Sequence, residues 1–171
     1  GDKITTDHIM PAGARLKYRS NIPAYAKYVF EPVDENFSAR CMENQKQGKD
    51  NFIVAGASYG QGSSREHAAI CPMYLGVKAV MAISIERIHQ NNLCNFGIIP
   101  LTFKEEEDYH KISQDDELVI EQVDKQIENR LVVVKNKTKG LEITLVCDVT
   151  DAQQRMLVSG GLLNVLKEGA K

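Results

Sequence analysis

The sequence contains no tryptophan and no uninterrupted apolar run long enough to cross a membrane. A membrane-spanning helix needs about 20 consecutive apolar residues, so we expect no membrane insertion. An excess of one charge is also lacking, because 21 basic residues stand against 23 acidic residues and the formal net charge is -2. Nucleic-acid backbones attract strongly basic surfaces, so this balance does not favour nucleic acid as a partner.

Paired cysteines are absent as well. Cys41, Cys71, Cys94 and Cys147 are widely separated, and no two of them form a CxxC motif. Zinc and iron–sulfur centres are commonly built on such motifs, so the sequence predicts no metal ligands in this chain. We expect each cysteine to be a buried, reduced thiol, which is typical of a reducing compartment and favours a cytoplasmic location.

The length of 171 residues suits a single domain, which we expect to span residues 1–171. The chain begins with Gly1 and passes directly into a segment dense in polar side chains, without a signal-like apolar stretch. We therefore expect it to be a piece of a longer protein.

Three short apolar runs, at 52–56, 77–83 and 98–101, predict buried strands because they are rich in β-branched residues. Segments with helical character at 66–75 and 85–95 separate these runs. An order of strand, helix, strand, helix, strand is typical of a parallel sheet with crossover helices.

The remainder of the chain has a different character. The first 48 residues predict irregular structure with two short helices, at 23–29 and 38–47. Beyond residue 101 the sequence predicts further strands at 118–120, 130–135 and 141–146, a hairpin turn at 136–140, and helices at 152–158 and 162–166. The predicted fold class is therefore α/β, with a parallel βαβαβ core and additional antiparallel strands.

A glycine-rich loop follows the first predicted strand and indicates an anion site. Gly60 and Gly62 allow a sharp turn and close approach of the backbone to a ligand. The predicted helix behind them offers free N–H groups, and Arg65 adds a planar guanidinium that can hold a carboxylate by two bonds. The spacing matches neither the Walker loop nor the dinucleotide-binding motif.

Two interpretations of Ser63 remain open on spacing alone. Ser63 and Glu66 fit a capping box, in which the serine only secures the helix start. Alternatively, its hydroxyl takes part in catalysis. A surface salt bridge is the ordinary role for Arg65, and a buried structural hydrogen bond is the ordinary role for His67.

The opening segment is the second candidate site, since Asp7 stands beside the titratable His8 and Arg19 follows eleven residues later. An Asp-His pair alone is a weak signal, because adjacent side chains often point in different directions. We expect solvated roles for His89 and His110. These motifs separately indicate an anion-binding α/β domain.

Taken together, four motifs resemble one family, the aconitases. In chain order they are DKITTDHI at 2–9, YGQGSSREHAA at 59–69, RIHQNNL at 87–93 and GIIPL at 97–101. They resemble the C-terminal swivelling domain of aconitase, which is similar to the small subunit of isopropylmalate isomerases. The resemblance implies a β/β/α swivelling fold that closes over a [4Fe–4S] cluster ligated outside this chain, by cluster-bearing domains of the same enzyme.

The family reaction is the isomerisation of citrate and isocitrate, tricarboxylate substrates, through cis-aconitate. By resemblance, Ser63 is the catalytic base and Asp7 an active-site acid. Arg19, Ser64 and Arg65 bind substrate carboxylates, while His8 and Gly62 have supporting roles. With the cluster held elsewhere, the chain alone is expected to be an inactive part of a hydro-lyase.

Two departures bear on the substrate. Met10 stands where the familiar eukaryotic motif has serine, and the stretch between Arg19 and Phe52 is compact, as in homoaconitase or isopropylmalate isomerase. Those activities are the first alternative. Arg19 favours a third carboxylate over an alkyl group, because an unpaired guanidinium against an alkyl chain is costly. An RNA-binding regulatory module and a non-catalytic carboxylate-binding module are alternatives of other classes.

Overall fold

The first fifty residues form short helices joined by turns, as predicted. They comprise α1 (Thr6–Ile9), α2 (Ile22–Tyr25), α3 (Phe37–Lys46) and two 3₁₀ segments, Gly13–Tyr18 and Ala26–Tyr28. The computed structural model describes residues 1–169. Asn21 caps α2 by accepting a hydrogen bond from the Ala24 N–H at 3.1 Å, and Pro23 occupies the first turn, where no N–H is required.

The predicted parallel core is confirmed. It consists of β1 (Asn51–Ala55), α4 (His67–Tyr74), β2 (Val77–Ala82), α5 (Arg87–Asn95) and β3 (Ile99–Phe103). β2 pairs in parallel with β1 and with β3. Apart from the exposed Lys78, its residues are apolar and buried on both faces, as expected for a central parallel strand.

An antiparallel extension completes the sheet, as the sequence predicted. It comprises β4 (Leu118–Val119), α6 (Val123–Glu128), β5 (Leu131–Asn136) and β6 (Leu141–Val146). β5 and β6 form the predicted hairpin, and β6 pairs with β3, giving the order β1-β2-β3-β6-β5-β4. Two helices follow, α7 (Asp151–Val158) and α8 (Leu162–Gly169), separated by Gly160 and Gly161.

Alternate residues of β2 point into two different cores, as the two-residue repeat of a strand requires. Val80 and Ala82 face a core built with the N-terminal segment, whereas Ala79 and Met81 face a core built with β5, β6 and α7. Full burial of an aliphatic side chain is worth about 1.5–3 kcal/mol. The first core therefore anchors the segment that carries Asp7 and Arg19 to the sheet.

Gly97 and Gly140 provide a matched test of backbone packing, because both have positive φ, +73° and +66°. A Cβ on Gly97 would lie 2.7 Å from the Gly160 carbonyl oxygen, whereas Gly140 has open space. Alanine at either position should cost about 1–2 kcal/mol of backbone strain. We expect Gly97→Ala to lower the melting temperature further than Gly140→Ala. Equal shifts in thermal melts would contradict a packing role for Gly97.

Candidate active site

The N-terminal segment lies along the glycine-rich loop and holds it in place. Thr5 and Gln61 form a parallel β-bridge between the two segments. Four backbone hydrogen bonds of 2.7–2.9 Å join the two segments. In each, the N–H of the first residue donates to the carbonyl of the second: Gly56 to Gly1, Lys3 to Ala57, Gly60 to Ile4 and Thr6 to Gln61. The two predicted candidate sites therefore form one structure.

The threonines of this segment fix both α1 and the loop. Thr5 Oγ1 accepts from the His8 N–H at 3.1 Å, and the Thr5 N–H donates to His8 Nδ1 at 3.0 Å, which is a reciprocal capping box. The hydroxyl of the buried Thr6 donates to the Ser63 carbonyl at 2.9 Å. His8 thus has a structural role here, since its ring closes the helix cap.

Gly60 and His89 are packed so closely that no other residue fits at position 60. Gly60 has φ +84°, and a Cβ there would lie 2.4 Å from ring atoms of His89. Gly62 also has positive φ, +106°, but its nearest neighbour would be Thr6 Oγ1 at 3.5 Å. Both glycines are required for conformation, and Gly60 is also required for space.

Ser63 does not cap a helix, so the capping interpretation is wrong. α4 begins at His67 with Glu66 at the N-cap, and no side chain accepts a hydrogen bond at that cap. Among the described residues, the Ser63 hydroxyl accepts no hydrogen bond from the N–H groups that begin this helix. Ser63 and Ser64 are exposed. Within the part of the chain that the structure describes, the hydroxyl of Ser63 and the backbone N–H groups of residues 62–65 have no hydrogen-bond partner.

Arg65 and Asp7 form an ion pair across 58 positions of sequence, with Arg65 Nη1 lying 2.5 Å from Asp7 Oδ1. The same Nη1 donates to the Met10 carbonyl at 3.2 Å. The side chain of Arg65 is 26% exposed and that of Asp7 63%. Both contacts use Nη1, and within residues 1–169 the edge of the guanidinium formed by Nε and Nη2 makes no hydrogen bond, which leaves two parallel donors.

Arg19 is exposed at the end of the 3₁₀ segment Gly13–Tyr18. Its guanidinium makes no ion pair or hydrogen bond with any residue in 1–169. Its carbonyl accepts a hydrogen bond from His67 Nε2 at 2.8 Å. His67 is a structural hydrogen-bonder as predicted, although its side chain is half-buried and not fully buried.

The expectation of a solvated His89 is wrong, whereas His110 is exposed as expected. His89 is 2% exposed, and its ring centroid lies 5.3 Å from that of Tyr59. Among the described residues, neither ring nitrogen has a hydrogen-bond partner, nor does the Tyr59 hydroxyl. Burial lowers the pKa of His89 to about 4 and raises that of Tyr59. His89 is therefore neutral at pH 7.

The four cysteines are buried, as predicted, and no disulfide joins them. Burial raises the pKa of Cys41, Cys71 and Cys94 to about 12 and that of Cys147 to about 11, because the thiolate is poorly solvated inside the protein. Over residues 1–169, no three His, Cys, Asp or Glu side chains are grouped to hold a metal ion. No helix in that range is long and apolar enough to span a membrane.

A cavity of about 1420 Å³ lies apart from this site. It follows β1, α3 and the chain around β4, and its lining includes none of Ser63, Ser64, Arg65 and Arg19. Over residues 1–169, the candidate site consists of an exposed loop, one arginine paired with Asp7, and one arginine whose guanidinium has no hydrogen-bond or ion-pair partner.

Residues 6–106 match the family model described as "Aconitase C-terminal domain". The chain belongs to this family. It is 36% identical over 162 residues to a probable mitochondrial aconitate hydratase of Dictyostelium discoideum, covering 84% of this chain but 20% of the relative. It is 39% identical over 168 residues to 3-isopropylmalate dehydratase small subunit 2 of Archaeoglobus fulgidus, covering 98% of this chain and 90% of that one.

A crystal structure of 3-isopropylmalate dehydratase from Methanocaldococcus jannaschii shares the fold, with a TM-score of 0.77 and 31% identity. The match covers 99% of this chain and 90% of that one. The predicted swivelling-domain fold is confirmed. The chain spans about a fifth of the length of its aconitase relatives and nearly all of an isopropylmalate dehydratase small subunit.

We expect His89 to make the free energy of unfolding depend on pH. The imidazole is neutral in the fold with a pKa of about 4, but in the unfolded chain it takes up a proton near its ordinary value of 6.5. The contribution of neutral His89 to the free energy of unfolding is therefore fully present above about pH 6.5. It falls by up to about 3 kcal/mol as the pH drops towards 4.

His89→Phe should remove this part of the pH dependence, because phenylalanine cannot be protonated. His110→Phe, at an exposed histidine, is the control and should leave the dependence unchanged. The measurement is chemical unfolding at several pH values between 4 and 7. The same slope in wild type and His89→Phe would assign the acid sensitivity to other groups.

Proposed function

We propose that residues 1–171 are the swivelling domain of an aconitate hydratase, a hydro-lyase. In this proposal the domain supplies the base and the carboxylate-binding groups for the isomerisation of citrate and isocitrate through cis-aconitate. The observation that carries the proposal is the hydroxyl of Ser63, which has no hydrogen-bond partner within residues 1–169 and lies on a loop that Thr6 holds and that leads into the Arg65–Asp7 ion pair.

Ser63 is proposed as the base that removes a proton from the carbon next to a substrate carboxylate. A serine hydroxyl is a very weak base unless its alkoxide is stabilised. The backbone N–H groups of residues 62–65, which have no acceptor within residues 1–169, and the guanidinium of Arg65 are proposed to supply the donors and positive charge that stabilise it. Because α4 begins only at His67, these loop donors replace the helix terminus that the sequence analysis expected.

Arg65 and Arg19 are proposed to bind two different substrate carboxylates. Asp7 holds Nη1 of Arg65, so the guanidinium is oriented before a ligand arrives and its Nε and Nη2 edge can donate two parallel bonds. Arg19 has no side-chain partner within residues 1–169 and is free to meet a carboxylate. Ser64 lines the same surface, while His8 and Gly62 maintain its shape.

The [4Fe–4S] cluster belongs to other domains in this proposal. The described residues of this chain do not form a ligand set for it, since no three His, Cys, Asp or Glu side chains among them are grouped to hold a metal ion. When bound, the cluster would supply a Lewis acid for the hydroxyl that leaves. We therefore propose that the chain alone has no dehydratase activity and that cluster-bearing domains are its partners. The cytoplasmic location stays a prediction, since several relatives are named as mitochondrial.

The second candidate function is that of an isopropylmalate dehydratase small subunit. It is favoured by the match over 90% of the length of such a subunit. Arg19 supports a tricarboxylate instead, because an alkyl group would leave its guanidinium without a partner. Comparing kcat/KM for citrate, homocitrate and 3-isopropylmalate on the complete enzyme separates these candidates.

Ser63→Ala in the complete, cluster-loaded enzyme should lower kcat by about 10²–10⁴-fold, the usual worth of a positioned proton-transfer group. Substrate affinity should change little, because the arginines remain. Melting temperature and cluster content should stay near those of wild type, because the exposed hydroxyl makes no hydrogen bond within residues 1–169. Ser20→Ala, at another exposed serine, is the control. A near-normal kcat for Ser63→Ala would remove this residue from the mechanism.

Arg19→Lys and Arg65→Lys should each impair the complete enzyme although both keep the positive charge. A lysine ammonium is a point charge and cannot form the two parallel bonds of a guanidinium with a carboxylate. We expect Arg19→Lys to raise KM for citrate, measured by steady-state kinetics. Arg130→Lys, at an arginine paired with Asp151, is the control. An unchanged KM would show that Arg19 does not bind substrate.

A further inference from the structure

We propose that His67 is a positioning residue that sets the place of Arg19 relative to the Ser63–Arg65 loop. The inference rests on the proposed function in one respect, that Arg19 binds a substrate carboxylate. His67 itself is not proposed to touch the substrate.

The contact between His67 and Arg19 joins two distant parts of the sequence. His67 is the first residue of α4, two positions after Arg65, and its Nε2 lies 2.8 Å from the Arg19 carbonyl oxygen. A carbonyl oxygen only accepts, so Nε2 must carry the hydrogen. In the described part of the chain, no other donor reaches this carbonyl.

The imidazole is held from its other side by Tyr25. The ring centroids of Tyr25 and His67 lie 5.4 Å apart, and Tyr25 is 1% exposed in the first core. The Tyr25 hydroxyl donates to the Pro11 carbonyl at 2.9 Å, one residue beyond the Met10 carbonyl that Arg65 contacts. His67 is therefore fixed against the same backbone that positions Arg65.

The segment before Arg19 is held by the Arg15–Glu31 ion pair and by stacking of Tyr18 on Tyr28, but within residues 1–169 the side chain of Arg19 itself has no hydrogen bond or ion pair. The Arg19 N–H donates only within that turn, to the Leu16 carbonyl at 3.1 Å. A ligand that bridges Arg19 and Arg65 requires a fixed spacing between them, and small displacements of a binding group reduce both affinity and rate. His67 supplies the bond from Arg19 to the loop that carries Arg65.

His67→Gln and His67→Asn in the complete enzyme form a matched pair. The glutamine amide places a donor near the position of Nε2, whereas the asparagine amide is one methylene shorter and does not reach the carbonyl. We expect His67→Gln to be close to wild type and His67→Asn to raise KM by roughly three- to tenfold, the effect of one lost hydrogen bond. His110→Asn, at the exposed histidine, is the control.

The decisive measurement repeats both substitutions with Arg19→Ala. If His67 acts through Arg19, His67→Asn should change KM by less than about twofold in that background, since coupled residues are not additive. Equal effects in both backgrounds, or equal effects of Gln and Asn, would overturn the proposal. Melting temperatures show whether His67→Asn still folds. If it does not, His67→Gln alone decides: a KM near that of wild type supports the proposal, and a raised KM overturns it.

KM of the single and double variants is measured with whichever hydroxy acid the complete enzyme turns over best. Turnover of 3-isopropylmalate and not citrate would overturn the proposed function. The effect of His67→Asn on KM, with and without Arg19→Ala, would still test whether His67 acts through Arg19. Turnover of citrate with additive effects of the two substitutions would overturn the positioning role alone.

Discussion

The candidate site depends on the backbone ladder between residues 1–6 and the loop that follows β1. A loop with two positive-φ glycines has little conformational preference of its own, so its shape must come from outside. The four backbone bonds and the Thr6 hydroxyl supply it. They also bring Asp7 to Arg65, which explains how a charge pair forms between segments far apart in the chain.

The same loop also packs against the buried ring of His89. Gly60 lies against the His89 ring, and that ring and the Tyr59 hydroxyl are buried without partners among residues 1–169. Burying polar groups in this way costs free energy, and the cost is greatest for the charged imidazole. The buried ring therefore lowers the stability of the fold at this position, but at neutral pH it gives the loop a close, rigid support.

The sequence predicts the fold much better than it predicts the contacts within the site. The parallel core follows from three apolar runs, because buried strands have a composition that local sequence reveals. The hairpin between β5 and β6 follows from its polar turn. Ser63 was ambiguous because the same S-x-x-E spacing fits a cap and a catalytic loop. Only the observed start of α4 at His67 decides against the cap.

The burial of His89 and the bond from His67 to Arg19 could not be predicted, since each depends on a segment packed from elsewhere in the chain. The two arginines illustrate what such packing adds. Arg65 is held by Asp7 and the Met10 carbonyl, so binding an anion costs it little side-chain entropy. Arg19 has no guanidinium partner within residues 1–169 but is held at its carbonyl, so its backbone position is fixed while its side chain can still adjust. The surface therefore combines one preset guanidinium with one adjustable guanidinium.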